Sequence, residues 1–260
     1  MPFITVNELS IFYSENKVVG TPLLFIHGWL GSSLEWAYQF CYFNSKKHVI
    51  ILDLPGFGKS DKPKTNYSID FFTKQVLEFL KLLGYDEAIL IGHSLGGMIA
   101  LTIAIQNPKL VKKLVLISTS GTFSQSIKNK WDLFWLNIVF RLFYKNFLKI
   151  IIKQIISTKI ENKEFKKHYN NALKIPKSVV LSTFKNMTSK FNIYKDFSEI
   201  VQPTLIVYGN EDKVISRSMI NTLDKLIDNS KIVVIENSPH RVMVENHTIV
   251  NKSIAEFIKN

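Results

Sequence analysis

The chain has 260 residues, of which 46% are hydrophobic and 21% charged, with 11 glycines and 8 prolines. That composition supports one large α/β domain with a substantial core and excludes disorder on a large scale. The formal net charge is +12, and residues 121–200 hold 15 Lys/Arg against five Asp/Glu, so the basicity belongs to one segment.

In chain order, "FITV" and "SIFYS" flank the turn residues Asn7 and Glu8 and predict a hairpin. The same N-terminal stretch lacks the basic region and continuous apolar run of a secretory signal. "PLLFIHG" and "KHVIILDLPG" are short apolar runs ending in Gly or Pro, the pattern of buried parallel strands. Residues 33–44 between them carry a helical pattern, and the only cysteine, Cys41, is expected there as a buried structural thiol. A lone cysteine allows no intramolecular disulfide and gives no sign of an oxidising compartment. "SIDFFTKQVLEFLKLLG" reads as a helix capped by Ser68 and closed by Gly84. Strand "EAILIG", helix "LGGMIALTIAIQNP" and strand "VKKLVLIST" follow. After residue 200 the alternation resumes with strand "PTLIVYG", a helix near 217–228, strand "KIVVIEN" and a last amphipathic helix near 244–258.

Strand–helix repetition of this kind predicts an α/β fold: a mostly parallel central sheet of about eight strands with helices on both faces. Residues 122–200 interrupt it with two or three aromatic-rich helices and no comparable strand. The expected organisation is a core from 1–121 and 201–260 with a helical cap, 122–200, inserted after strand 6. The stretch from Leu133 is apolar, but Arg141, Lys145, Lys149 and Lys153 break it every four residues, so it does not read as a membrane span. A cytoplasmic protein is expected.

Gly92-His93-Ser94-Leu95-Gly96 fits G-x-S-x-G between a strand and a helix. The turn there is so tight that residues two before and two after the serine nearly touch, which glycine alone tolerates, and the hydroxyl is lifted above the sheet edge. Ser94 is therefore the candidate nucleophile. A serine needs a base, and of the six histidines His240 alone lies in a loop between the last core strand and the last helix, which returns to that edge. His48, His168 and His247 read as surface or structural residues, and His93 as packing beneath the elbow. An acid that orients the base is expected in "VYGNEDKVI", where Asp212 is preferred to the adjacent Glu211. In "FIHGWLGSS", His27 reads as a loop brace, and the backbone N–H groups of Trp29 and Leu95 are the candidate oxyanion donors.

The order Ser94, Asp212, His240, carried by "HGWLGS", "DLPGFGKSD", "GHSLGG", "YGNEDKV" and "SPHRVMVEN", resembles the α/β-hydrolase superfamily over the whole chain. The resemblance implies the α/β-hydrolase fold, a serine carboxylesterase-like activity through an acyl-enzyme, and no metal or organic cofactor. It makes Asp53 and the "PGFGKS" loop scaffold features. A serine at the elbow argues against the dehalogenase and epoxide hydrolase branches, which use aspartate there. "HGW" beside "SLGG" has some similarity to the esterases that cleave pimeloyl-carrier-protein methyl ester. C–C bond hydrolysis, enol-lactone hydrolysis, a menaquinone-pathway lyase and a perhydrolase reuse the same triad. Outside catalysis, a slow-turnover receptor for a small lactone keeps it too.

In the insert, Trp131, Trp135, Val139, Phe143, Phe147 and Ile151 recur every four residues, as do the four cations from Arg141 to Lys153. On a helix these rows fall on different faces. The aromatic row, with Trp131 and Trp135 as substrate-binding candidates, is expected over an acyl pocket of a small-molecule ester. For the cationic row two readings stay open: lysines facing water, or a dock for an acidic acyl carrier protein or an anionic membrane surface. No nucleic-acid motif accompanies the charge, and no nucleic-acid partner is expected.

Overall fold

Asn7 and Glu8 reverse the chain with φ of 46° and 67°, both in the left-handed region that a two-residue hairpin turn demands. They join β1 (Phe3–Val6) to β2 (Leu9–Glu15) in antiparallel register, Phe3 opposite Phe12 and Val6 opposite Leu9. In the computed structural model the described residues are 2–122, 138, 142, 144–155, 163–189 and 191–259. β3 (Leu23–Ile26), β4 (Val49–Leu52), β5 (Ala88–His93), β6 (Val111–Ile117), β7 (Thr204–Gly209) and β8 (Ser230–Ile235) complete an eight-stranded sheet ordered β1-β2-β4-β3-β5-β6-β7-β8. β2 pairs antiparallel with β4, and every pair from β4 to β8 is parallel.

The parallel strands are apolar on both sides because both faces are covered. On one face Leu24, Ile26, Leu90 and Leu114 join α2 (Ile69–Leu82) and α3 (Leu95–Gln106) in the larger core cluster. On the other, Leu23, Phe25, Ile91 and Val115 pack under Trp36, Phe43 and the C-terminal helices. Ser68 caps α2 as its sequence predicts, accepting the N–H of Phe71 at 3.1 Å. α3 has no polar face: Leu95 through Ala104 are all buried, and each large side chain contributes roughly 1.5–3 kcal/mol against exposure.

The helix expected over 33–44 is a 3-10 turn, Ser33–Trp36, running into α1 (Ala37–Phe43). Here the structure corrects the sequence reading: Cys41 is exposed. Trp36, Gln39 and Phe43 form the inward face of this segment, and position 41 lies half a turn away from it.

Between β6 and β7 the chain carries α4 (Tyr144–Ile155), α5 (Lys163–Leu173), α6 (Lys177–Ser189) and a 3-10 segment, Tyr194–Glu199. Among the described side chains of α4, Leu148 and Ile152 are buried and Ile151 half-buried, while Lys145 and Lys149 are exposed. Ile151 belongs to the expected apolar row, and the side chain of Phe147 lies outside the described part of the structure. Trp131, Trp135, Val139, Arg141 and Phe143 lie outside the described residues. α7 (Arg217–Leu226) follows β7, and the single last helix expected near 244–258 is two: α8 (Val242–Glu245) and α9 (His247–Lys259). Among the described residues no helix is long and apolar enough to cross a membrane.

β3 sits between β4 and β5, so the chain turns outward on one side of it and returns on the other. Crevices at such switch points, beyond the carboxyl ends of the strands, are where open α/β sheets hold ligands. Ile26 and His93 end the two strands that flank this one.

Candidate active site

Ser94 follows β5 with φ 50° and ψ −113°, a strained conformation for a residue with a side chain. Its backbone is held on both sides. The N–H donates to the Ile117 carbonyl at 3.0 Å, and its own carbonyl accepts from Met98 N–H at 3.1 Å and from Thr119 Oγ1 at 2.7 Å. A Cβ on Gly92 would run into the Gly96 carbonyl, and one on Gly96 into the carbonyl of Ile26. The glycines flanking the serine are therefore required by close backbone approach, and the second approach seats the elbow against the end of β3.

Beyond that strand end, Gly31 N–H closes a turn on the Gly28 carbonyl at 3.1 Å, with Leu30 at φ 62°. This bond does not use the Trp29 N–H. Leu95 is the first residue of α3, and first-turn N–H groups have no partner within a helix. The indole of Trp29 stacks on Phe184 of α6, ring centroids 5.4 Å apart, which ties this turn to the insert. His27 braces the loop as expected: Nδ1 donates to the Gly28 carbonyl at 2.8 Å and Nε2 accepts the Leu54 N–H at 3.0 Å. Asp53 holds its own loop, accepting Ser33 N–H at 2.6 Å and Lys59 N–H at 2.7 Å.

The loops that follow β7 and β8 meet. Asp212 Oδ2 lies 2.8 Å from His240 Nδ1, with the two side chains 1% and 2% exposed. Its other oxygen, Oδ1, accepts the N–H groups of Val214 at 2.8 Å and Ile215 at 2.9 Å. Burial works against the Asp212 carboxylate, but the His240 imidazole and those two N–H groups outweigh it and hold the pKa below the usual value. Glu211 is exposed, so the acid that reaches the imidazole is Asp212. Glu211 N–H donates to the Ser238 carbonyl at 2.9 Å, which fastens the loop of Asp212 to the loop of His240.

The remaining histidines separate by their surroundings. His48 pairs with Glu15 at 2.9 Å, and His247, at the start of α9, stacks on Tyr38. His93 is buried under the elbow, its ring 4.9 Å from that of His240, and its Nε2 lies 3.2 Å from the His240 carbonyl oxygen. His168 of α5 is buried and its Nδ1 accepts from the Arg241 guanidinium at 3.4 Å. Sequence reasoning missed Glu35 and Arg241, a buried pair 3.6 Å apart beneath these loops. The available signal was slight: one acid in "SSLEW" and one cation beside His240.

Burial and then the Arg241 guanidinium push His168 down to about 3, from an ordinary 6.5. The unfolded chain binds the extra proton over that interval, so His168 contributes stability that is present above about pH 6.5 and lost as pH falls towards 3. Urea midpoints are expected to drop between pH 7 and pH 5, and His168→Leu is expected to flatten that drop. An equal drop in the variant contradicts the assignment.

Residues 21–247 match the family model of the alpha/beta hydrolase fold. The chain belongs to this family. Among its relatives, an epoxide hydrolase 1 of Caenorhabditis elegans is 28% identical, covering 98% of this chain and 69% of that protein. A pimeloyl-[acyl-carrier protein] methyl ester esterase of Wigglesworthia glossinidia brevipalpis is 29% identical, covering 91% of this chain and 93% of that protein. Among solved structures, Est816, described as an N-acyl homoserine lactone degrading enzyme, superposes with TM-score 0.87 at 27% identity over 98% of this chain and 100% of that one. Membership in the alpha/beta hydrolase fold family and the esterase-like relatives support hydrolase activity; the bond cleaved is a finer question.

Proposed function

We propose that this alpha/beta hydrolase cleaves carboxylic esters through an acyl-enzyme formed on Ser94. The observation that carries the reading is the buried 2.8 Å pairing of His240 Nδ1 with Asp212, which keeps the proton on Nδ1 and leaves Nε2 as the accepting nitrogen. Ser94 Oγ attacks the ester carbonyl as His240 Nε2 takes its proton, while Asp212 stabilises the imidazolium. The Trp29 and Leu95 N–H groups receive the oxyanion, and each such donor contributes about 2.7–4 kcal/mol to the transition state. Collapse of the tetrahedral intermediate breaks the ester C–O bond, and His240 returns the proton to the departing alcohol. Water then attacks the acyl-enzyme by the same route and releases the carboxylate. A serine at the elbow favours this acyl chemistry over epoxide opening, despite the overall likeness to an epoxide hydrolase.

A lactone is a cyclic ester and opens by the same steps, so the likeness to Est816 fits this reading. The helices between β6 and β7 form a cap in this proposal, with the stacked pair Trp29 and Phe184 at its seam. The exposed Lys145 and Lys149 of α4 suit an acidic carrier protein, in keeping with the pimeloyl-carrier-protein esterase relative.

A panel of p-nitrophenyl esters from acetyl to palmitoyl, an acyl homoserine lactone and a carrier-linked methyl ester tests substrate class. Turnover of short and medium esters is expected. Rising salt is expected to raise KM for the carrier-linked substrate alone, since screening acts on the exposed lysines. No turnover of any ester or lactone contradicts the function, and equal salt dependence for free and carrier-linked esters contradicts the docking.

A further inference from the structure

Glu35 lies in the 3-10 turn Ser33–Trp36 and is 3% exposed. Oε2 accepts the Gly28 N–H at 3.1 Å and faces Nδ1 of His93 at 3.3 Å. Oε1 is 3.6 Å from the guanidinium of Arg241, a buried residue that directly follows His240. The same guanidinium nitrogen, Nη2, reaches Nδ1 of His168 on α5. One carboxylate–guanidinium pair therefore touches four segments: the turn that carries Trp29, the elbow through His93, the base loop, and an insert helix. None of these side chains has a step in the ester chemistry above.

Taking such charges out of water costs several kcal/mol per ion unless each meets its partner and its hydrogen bonds. Burial raises the Glu35 pKa, but Arg241 and His93 outweigh it, so the carboxyl stays ionised across the working range. The pair is thus a buried charge contact at 3.6 Å. Glu35 anchors Gly28, one residue before the Trp29 N–H, and His93 lies between Glu35 Oε2 and the His240 carbonyl oxygen; burial lowers its pKa, and the neutral ring donates to one of these two acceptors and packs against the other. A misplacement of about 1 Å in groups like these costs on the order of 10²-fold in rate.

We propose that Glu35 and Arg241 are positioning residues that hold the oxyanion turn, the nucleophile elbow and the base loop in register, and that the Arg241–His168 contact makes this register depend on the seating of α5. The proposal rests on the catalytic reading of Ser94, His240 and Asp212. It predicts an enzyme whose turnover, and not only its substrate affinity, senses the insert.

The test uses the full chain, with competent sites counted by stoichiometric phosphonate labelling so that misfolded protein drops out of the rate. Glu35→Gln keeps the shape and one acceptor oxygen but removes the charge. It is expected to lower kcat per labelled site about tenfold or more, with KM changed by less than about threefold. His168→Leu leaves the Glu35–Arg241 pair intact and carries the test where Glu35→Gln does not fold; its kcat per site is expected to fall about threefold to tenfold. In a double-mutant cycle, Arg241→Met with His168→Leu is expected to be no worse than Arg241→Met alone. Per-site kcat within twofold of wild type for these variants, or strictly multiplicative effects in the cycle, overturns the proposal while leaving the esterase reading intact. A wild-type protein inert to esters and phosphonate overturns the catalytic reading and this one with it.

Discussion

Ser94→Ala is expected to lower kcat/KM for ester hydrolysis by about 10⁴-fold or more while leaving the thermal midpoint within a few degrees of wild type. The expectation follows from how the residue is held. A φ of 50° on a side-chain-bearing residue costs on the order of 1–3 kcal/mol, and the surroundings fix it through Ile117, Met98 and Thr119. Three hydrogen bonds go to its backbone, so removing the hydroxyl disturbs none of them. A serine serving only as turn filler would lose nothing on truncation, and a rate within tenfold of wild type at unchanged stability would count against its role. The loss expected here corresponds to about 5.5 kcal/mol of transition-state stabilisation.

Asp212→Asn is expected to cost about 10⁴-fold in kcat with little change in fold. Asp212 divides its oxygens: one takes the Val214 and Ile215 N–H groups and the other takes His240 Nδ1. An asparagine that keeps its carbonyl on the two backbone donors must turn its amide towards Nδ1. The imidazole then accepts at Nδ1 and carries its proton on Nε2, the wrong tautomer to receive one from Ser94. Reversing the amide restores the tautomer but sets its NH2 against two backbone donors. Steady-state rates in the variant, read beside urea midpoints, separate this from simple destabilisation; full activity contradicts Asp212 as the orienting acid.

The order of strands and helices along the chain was legible in the sequence because each element carries a local signal. The turn at Asn7 and Glu8, the Ser68 cap and the glycines of the elbow are examples; Asn7, Ser68 and the glycines adopt geometry their residue types favour, whereas Glu8 takes a left-handed φ of 67° against its type. Asp212 and His240 could be singled out by their places after core strands, 28 residues apart and in contact only once β7 and β8 pair. Local signals do not reach further than this. The Glu35–Arg241 pair joins residues more than 200 positions apart, and no periodicity marks a buried charge whose partner comes from another loop. Cys41 was assigned to the core for its residue type, although the inward face belongs to Gln39 and Phe43. The last helix was read as one because its apolar pattern is continuous, whereas the chain breaks at Asn246, whose side chain donates to Ser238 at 2.8 Å.

Covalent trapping addresses the central claim most directly. The wild-type chain is incubated with an alkyl fluorophosphonate, its intact mass is measured, and the modified peptide is sequenced. One adduct per chain on Ser94, blocked by a competing ester and absent from His240→Ala, is the predicted result. Ester hydrolysis that survives stoichiometric labelling, or an adduct on any other residue, would contradict Ser94 as the nucleophile.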